Sequence, residues 1–348
     1  MSSQNPVLPK TDPSPIFQAY RGVYATTLLT AAVHDFNLFN KLASTPRTER
    51  EIAQELALSP RATNVLLVAL RAMKLLENDT QGRMTLSDLA HEHFAGGEFD
   101  ISDYVSQAAD TPAVREMVQR LKTNKPAGHE PDEQGVGWIY REGMRSAMDQ
   151  EAAARNLTLA LAGRARNVAP VLAQRIPMSD ARTLLDVGGG TGIYSIACLK
   201  ENPHLRAIVW DRPQVLKVAH EMAQSAGVLD RLDLREGDMF SDPVPPHCDV
   251  MLVSNILHDW DIPECRTLIR RLAGGMPVGG RLLIHDAFLN DALDGPLNVA
   301  LYSANLFCVT EGRCYSAAEC RPWLEEAGLN AQAVVPTLAD CSVLAGTK

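Results

Sequence analysis

The 348-residue chain has no apolar run of 18 or more residues, so no stretch reads as a membrane-spanning helix. Its first residues, Met1 to Pro6, carry neither the basic nor the apolar region of a secretory signal. No two of its seven cysteines form a C-x-x-C pair, which argues against structural zinc and disulfides and fits free thiols in a reducing cytoplasm. Cys308, Cys314 and Cys320 recur every six residues, a spacing that suits neither one helix face nor a metal knot, and they read as packing residues. An excess of positive charge is also missing. The net charge of −9 argues against a general nucleic-acid binder. These absences leave a globular cytoplasmic protein, 46% hydrophobic and long enough for two domains and a sizeable core.

The most informative stretch runs from Leu184 through Asp186, Val187, Gly188, Gly189, Gly190, Thr191 and Gly192 to Ser195. An apolar run ending in an acid, then glycines, then helix-forming residues predicts a buried parallel strand, a tight turn and a helix N-terminus. Glycines at 188, 190 and 192 would let a ligand lie against bare backbone. A nicotinamide fingerprint would want its third glycine where Ile193 stands, and Asp186 would face a pyrophosphate with like charge. S-adenosylmethionine, which has no phosphate and ends in an ammonium, suits the loop better. Asp211 closes the next apolar run, roughly 20 residues on, where an acid can take both hydroxyls of an adenosine ribose.

In chain order, residues 1–14 read as a flexible arm and 15–42 as helical. Residues 48–94 read as helix, turn, helix and wing. A capping box is expected at Thr48–Glu51, a second start at Ser59-Pro60, and a small hairpin about Gln81-Gly82. The winged-helix pattern raises DNA binding. However, the helix from Pro60 to Leu75 offers only Arg61, Arg71 and Lys74 as cations and is otherwise apolar, so it reads as buried against a partner subunit. A loop at 122–137 precedes a long helix through Met144, Met148 and Leu157, and a second helix at 166–174 leads to a boundary at Pro177. From Thr183 the pattern alternates. Strands are expected at 183–187, 206–210, 231–235, 249–254 and 280–286, and helices at 192–201, 213–226, 263–273 and 317–327, with a hairpin of strands in the tail. This is a doubly wound parallel sheet, whose ligands lie at the carboxyl ends of the strands.

Three motifs stand at those ends. After the third strand, Asp238 is placed for an adenine amino group and Met239 for the ring. After the fourth, Ser254 to Trp260 offers Trp260 as an adenine cover and His258 facing a donor methyl. At the end of the fifth, Asp286 can hydrogen-bond His258 and fix its tautomer. His258-Asp259 and His285-Asp286 also admit a metal reading, which the spacing does not demand.

With these motifs the chain resembles the caffeate and hydroxyindole O-methyltransferases, plant-type small-molecule enzymes that also occur in bacteria. The resemblance rests on Asp186–Gly192, Asp211-Arg212-Pro213, Gly237–Phe240 and His258-Asp259-Trp260, and covers most of the chain. It implies a winged-helix dimerisation domain at 1–100, connecting helices forming part of an acceptor pocket at 101–176, a cofactor domain at 177–348, and a homodimer. By the same resemblance the S-adenosylmethionine contacts fall on Gly188, Asp211, Asp238 and Met239. Ser254 stands where plant members carry a lysine, His258 is the base and Asp286 its first supporting acid. The position of the second supporting acid is Cys314, with Glu311 three residues out of register.

A phenol must lose a proton to accept a methyl, whereas a thioether need not, so a weakened His–acid system is compatible with sulfur as nucleophile. Within the family the chain also resembles the bacterial S-methyltransferases of dimethylsulfoniopropionate synthesis, which act on 4-methylthio-2-hydroxybutyrate. That acceptor would need a cation for its carboxylate, from among Arg141, Arg145 and Arg313, and hydroxyls from Tyr140 and Tyr302, in a pocket walled by Met144 and Met148. The rival acceptor is a phenol or other hydroxyl, with His258 as general base. A rival from another class is a cofactor-sensing regulator that keeps its winged helix for DNA.

Overall fold

A computed structural model describes residues 7–129, 135–141 and 143–348. The expected arm at 1–14 and loop at 122–137 lie partly outside the described residues. Two compact units divide the chain: Pro15–Gly137 with Leu289–Ser316, and Met1–Ser14 with Trp138–Phe288 and Ala317–Lys348. The break therefore falls at Gly137/Trp138 rather than at 100 or 176, and Leu289–Ser316 returns to the helical unit.

The helical unit contains α1 (Ser14–Tyr20), α2 (Val23–Thr30), α3 (Leu38–Ala43), α4 (Glu49–Leu56) and α5 (Pro60–Ala72). After β1 (Leu76–Asn78) and β2 (Met84–Leu86) come α6 (Asp88–Phe94), α7 (Ser102–Ser106) and α8 (Pro112–Thr123). Thr48 and Glu51 form the expected capping box of α4, and Ser59 caps α5 through the amide of Ala62. β1 and β2 pair antiparallel as the wing. The helical run expected over 15–42 breaks where α2 passes into a π turn at Ala31–Asp35 and Asn37 turns left-handed.

α5 corrects the expectation of a helix buried on a partner. Every residue from Arg61 to Ala72 except Arg71 is buried within this chain, and α5 packs against the helix Leu297–Val309 (α13 in chain order). Arg61 donates to the carbonyls of Thr310 and Gly312 at 3.0 Å each and to Asn124 Oδ1 at 2.9 Å, with its guanidinium 4.4 Å over the Phe307 ring. A cation held this way is not available to phosphate.

The α/β unit opens with α9 (Glu151–Arg175), one helix of 25 residues that continues through Pro170 where two were expected. Met144 precedes it, and Met148 lies in a 3-10 turn at Ala147–Asp149. Then follow β3 (Thr183–Val187), α10 (Ile193–Glu201), β4 (Arg206–Asp211), α11 (Pro213–Ala226), β5 (Leu232–Glu236), β6 (Val250–Ser254), α12 (Ile262–Gly275) and β7 (Arg281–Ala287). After α13 come α14 (Ala317–Glu326), β8 (Asn330–Ala331), β9 (Val335–Pro336) and β10 (Cys341–Thr347). The sheet order is β5-β4-β3-β6-β7-β10-β8, with β9 also on β10. β3 to β7 are mutually parallel, as buried apolar strands joined by helices require, while β10 runs antiparallel to β7. The hairpin of strands expected in the tail is present, β9 pairing antiparallel with β10, and through β10 it extends the main sheet. Strand order reverses between β3 and β6, which opens a crevice at the carboxyl ends there.

Candidate active site

The turn after β3 stands at that reversal. Gly190, at φ +60°, has nothing within 4 Å of where a Cβ would be, so bare backbone faces open space. Gly188 and Gly192 are instead closed in, against Ile256 and Val209 respectively. Asp186 lies under the turn rather than in the crevice. It is 1% exposed, accepts from Ser195 Oγ at 2.8 Å, and a Cβ on Gly189 would stand 2.7 Å from its Cγ. Burial raises its pKa to about 7, against the bonds from Ser195.

Asp211 ends β4 half-buried, accepting from the amides of Gly190 and Arg212 at 2.8 and 2.7 Å. Burial raises its pKa and the two amides oppose the rise. A carboxylate has about four acceptor sites, so two remain for a pair of hydroxyls. Asp238 has both oxygens engaged, one by the Phe240 amide and one by Arg212, each at 2.7 Å. Arg212 in turn lies 4.2 Å over the ring of Tyr140. The Trp260 ring meets Phe240 edge-on at 4.7 Å between centroids, and Arg141, paired with Glu264, lies 5.3 Å over it. The Tyr140-Arg141 pair, expected at an acceptor, thus reaches the residues expected around adenine. Met239 is half-buried beside them.

The His258–Asp286 pairing predicted from sequence is present: Nδ1 lies 2.5 Å from Asp286 Oδ1, with His258 3% and Asp286 5% exposed. Asp259 is 3.7 Å from Nε2. Burial is the largest influence on the imidazole and lowers its pKa, as does Arg164. Asp286 and Asp259 outweigh both, and the net shift is upward. The two His–Asp pairs do not converge on a metal, because His285 turns to Ser254 Oγ at 2.8 Å and Thr337 Oγ1 at 3.1 Å. Ser254 therefore belongs to this buried network.

Of the other expected acceptor residues, Met144 is buried, Met148 half-buried and Arg145 exposed, all in the α/β unit. Tyr302 and Arg313 are buried in the helical unit, Tyr302 under the Arg21 guanidinium at 3.9 Å and Arg313 over Tyr315 at 4.4 Å. Cys314 is buried there, its amide donating to Ser303 Oγ. Sequence reasoning missed Arg212 and Arg164. Arg212 adjoins Asp211, which was a usable signal. Arg164 lies mid-helix, with none.

A parallel sheet with its ligand-ready turn at the strand reversal, and a carboxylate-held imidazole at the neighbouring strand end, places the chain among α/β enzymes that act on a bound nucleoside cofactor. A model of the O-methyltransferase domain matches residues 135–330. A 3-hydroxy-5-methyl-1-naphthoate 3-O-methyltransferase of Streptomyces sahachiroi is 33% identical over 310 residues, 88% of this chain and 86% of that protein. The crystal structure of an O-methyltransferase family 2 protein from Planctomyces limnophilus, in complex with apigenin, superposes with TM-score 0.90 at 43% identity over all of both chains. Human N-acetylserotonin methyltransferase in complex with SAM shares the fold at TM-score 0.61 and 22% identity, covering 96% of each chain. The chain belongs to the O-methyltransferase family.

Proposed function

We propose that this protein transfers the methyl group of S-adenosylmethionine to a phenolic or other hydroxyl oxygen of a small molecule. The observation that carries this reading is the buried His258–Asp286 pair, 2.5 Å between Nδ1 and Oδ1. The open backbone at Gly190 and the two spare acceptor sites of Asp211 fit the cofactor. Asp211 would hold the ribose hydroxyls, and Trp260, Phe240 and Met239 would flank the adenine. When bound, the cofactor supplies an electrophilic methyl on a sulfonium. The protein's share is to place the acceptor about 3 Å away, exclude water and take the hydroxyl proton. That proton goes to Nε2 of His258, while Asp286 holds Nδ1–H and stabilises the imidazolium.

The thioether-acid reading drew its support from Cys314 standing where a second acid was expected. Asp259, 3.7 Å from Nε2, offers the imidazole a second carboxylate, and that support weakens. The relatives' names point to oxygen on aromatic frames: a hydroxynaphthoate for one, and a complex with the polyphenol apigenin for another. A homodimer built on the helical unit belongs to the reading, supported by apolar side chains exposed on α1 and α2 at Ile16, Tyr20 and Val23. No helix among the described residues is long and apolar enough to cross a membrane, and the seven cysteines are buried thiols outside any disulfide, as a reducing cytoplasm would favour.

The test incubates the protein with labelled S-adenosylmethionine and a panel of hydroxynaphthoates, flavonoids, thiols and 4-methylthio-2-hydroxybutyrate. Label on a phenolic oxygen, lost in His258→Gln, is expected. Label on the thioether alone, surviving His258→Gln, would reinstate sulfur.

A further inference from the structure

Arg164 stands in the middle of α9, outside every motif of the cofactor domain, yet its guanidinium reaches the loops on two strand ends. Nη1 donates to Asn255 Oδ1 at 2.7 Å, and Nη2 to Cys341 Sγ at 2.9 Å and the Ala339 carbonyl at 3.3 Å. Asn255, Ala339 and Asp340 all have left-handed backbones, with φ of +57°, +53° and +61°. That conformation is uncommon outside glycine, more so for alanine than for Asn or Asp, and such positions gather at functional sites. Here two of the three strained residues are bonded to one guanidinium.

Asn255 stands three residues before His258. Its amide donates to the His285 carbonyl at 2.9 Å, and its Nδ2 to Ser254 Oγ at 3.1 Å and Tyr194 Oη at 3.3 Å. Ser254 continues to His285, the neighbour on β7 of Asp286. The grip of Arg164 on Asn255 therefore lies three residues from the base along the loop, and through Ser254 and His285 it reaches the chain neighbour of the supporting acid. We infer that Arg164 is a positioning residue, fixing the turn that carries His258 and setting the charge around it. The inference rests on the reading of His258 as base.

The charges that act on His258 include Asp286 on β7, Asp259 on its own turn and Arg164 on α9. The two acids favour the imidazolium; Arg164 opposes it and keeps more of the imidazole neutral. Lysine would keep the charge but not the planar fork that meets two loops at once, and glutamine would keep donors but not the charge.

The experiment titrates the histidine side chains of the full-length protein by nitrogen-15 NMR in wild type, Arg164→Lys and Arg164→Gln, with His258→Gln to assign the signal. Methyl transfer to apigenin as probe acceptor is followed across pH. Arg164→Gln is expected to move the His258 titration and the acid limb of kcat/KM to higher pH, lowering the rate on that limb roughly threefold to tenfold. Arg164→Lys is expected to titrate like wild type while its plateau kcat falls, with KM for the cofactor unchanged in both. A His258 titration in Arg164→Gln identical to wild type would overturn the inference. A shifted titration in a protein whose His258→Gln variant keeps full activity would sustain the influence of Arg164 on the imidazole and remove the base reading instead.

Discussion

Asp286 Oδ1 lies 2.5 Å from Nδ1 of His258, inside the protein, where neither side chain can exchange its partner for water. The pair fixes the tautomer. With Nδ1 protonated toward the acid, Nε2 is the nitrogen that can take up a proton. Asp286→Asn keeps the shape but removes the charge that raises the imidazole pKa. Its pH–rate profile is therefore expected to begin its rise at lower pH. The plateau is expected to drop about 10²- to 10⁴-fold, because the imidazolium loses its stabiliser and the amide can select the wrong tautomer. A plateau within twofold of wild type would count against His258 as base.

Asp211 and Asp238 make separable contributions to the crevice. Asp211 is anchored by two backbone amides and keeps acceptor capacity in reserve. Asp211→Ala should weaken binding of S-adenosylhomocysteine about 10²- to 10⁴-fold by calorimetry, the loss of two hydrogen bonds to a charged group. Asp238 spends one oxygen on Phe240 and the other on Arg212. Asp238→Asn keeps an acceptor for the amide and should cost less than Asp211→Ala. Equal losses would mean that the Arg212 pair opens to admit adenine.

The α/β half was legible because buried parallel strands are continuous apolar runs, and Gly and Asp punctuate them. β3, β4 and β7 lie within one residue of their expected bounds. The turn residues and the His258–Asp286 pair were legible for the same reason, since strand ends collect chemistry. α13 was not. A helix buried from Asn298 to Ala304 and again from Leu306 to Cys308 has no polar face, so it shows no period to read. α9 was read as two because Gly163 and Pro170 weaken the local signal, and packing on α10 and α11 carries the helix through. Arg61 and Arg164 were opaque for a third reason. Their partners lie 63 to 251 and 91 to 177 residues away, and no local pattern encodes them.

Arg61 supplies a direct test of what the winged helix does. It donates to two carbonyls near the end of α13 and to Asn124, and it is 5% exposed. Arg61→Ala strands those acceptors in the interior and should destabilise the helical unit by about 2–4 kcal/mol in urea unfolding. As a DNA contact it would instead leave stability unchanged and lower duplex affinity. Wild type is expected to show no salt-sensitive shift of random duplex at low ionic strength. Tight, salt-sensitive binding would restore the regulator reading.

Asp186 makes the stability of the fold depend on pH. Burial raises its pKa from 3.8 to about 7, and its Oδ1 has no hydrogen-bond partner among the described residues, as a carboxyl that keeps its proton would allow. Below about pH 4 folded and unfolded chains both hold the proton, and the group has no effect. As pH rises to about 7 the unfolded chain ionises first, so stability falls. Above that the penalty is constant, at most about 4 kcal/mol. Asp186→Asn removes the ionisation and keeps an acceptor for Ser195. Its melting temperature should exceed that of wild type at pH 8, and the gap should close as pH falls toward 4. A gap that is the same at both pH values would show that Asp186 is ionised under the glycine turn and that some other donor balances it there.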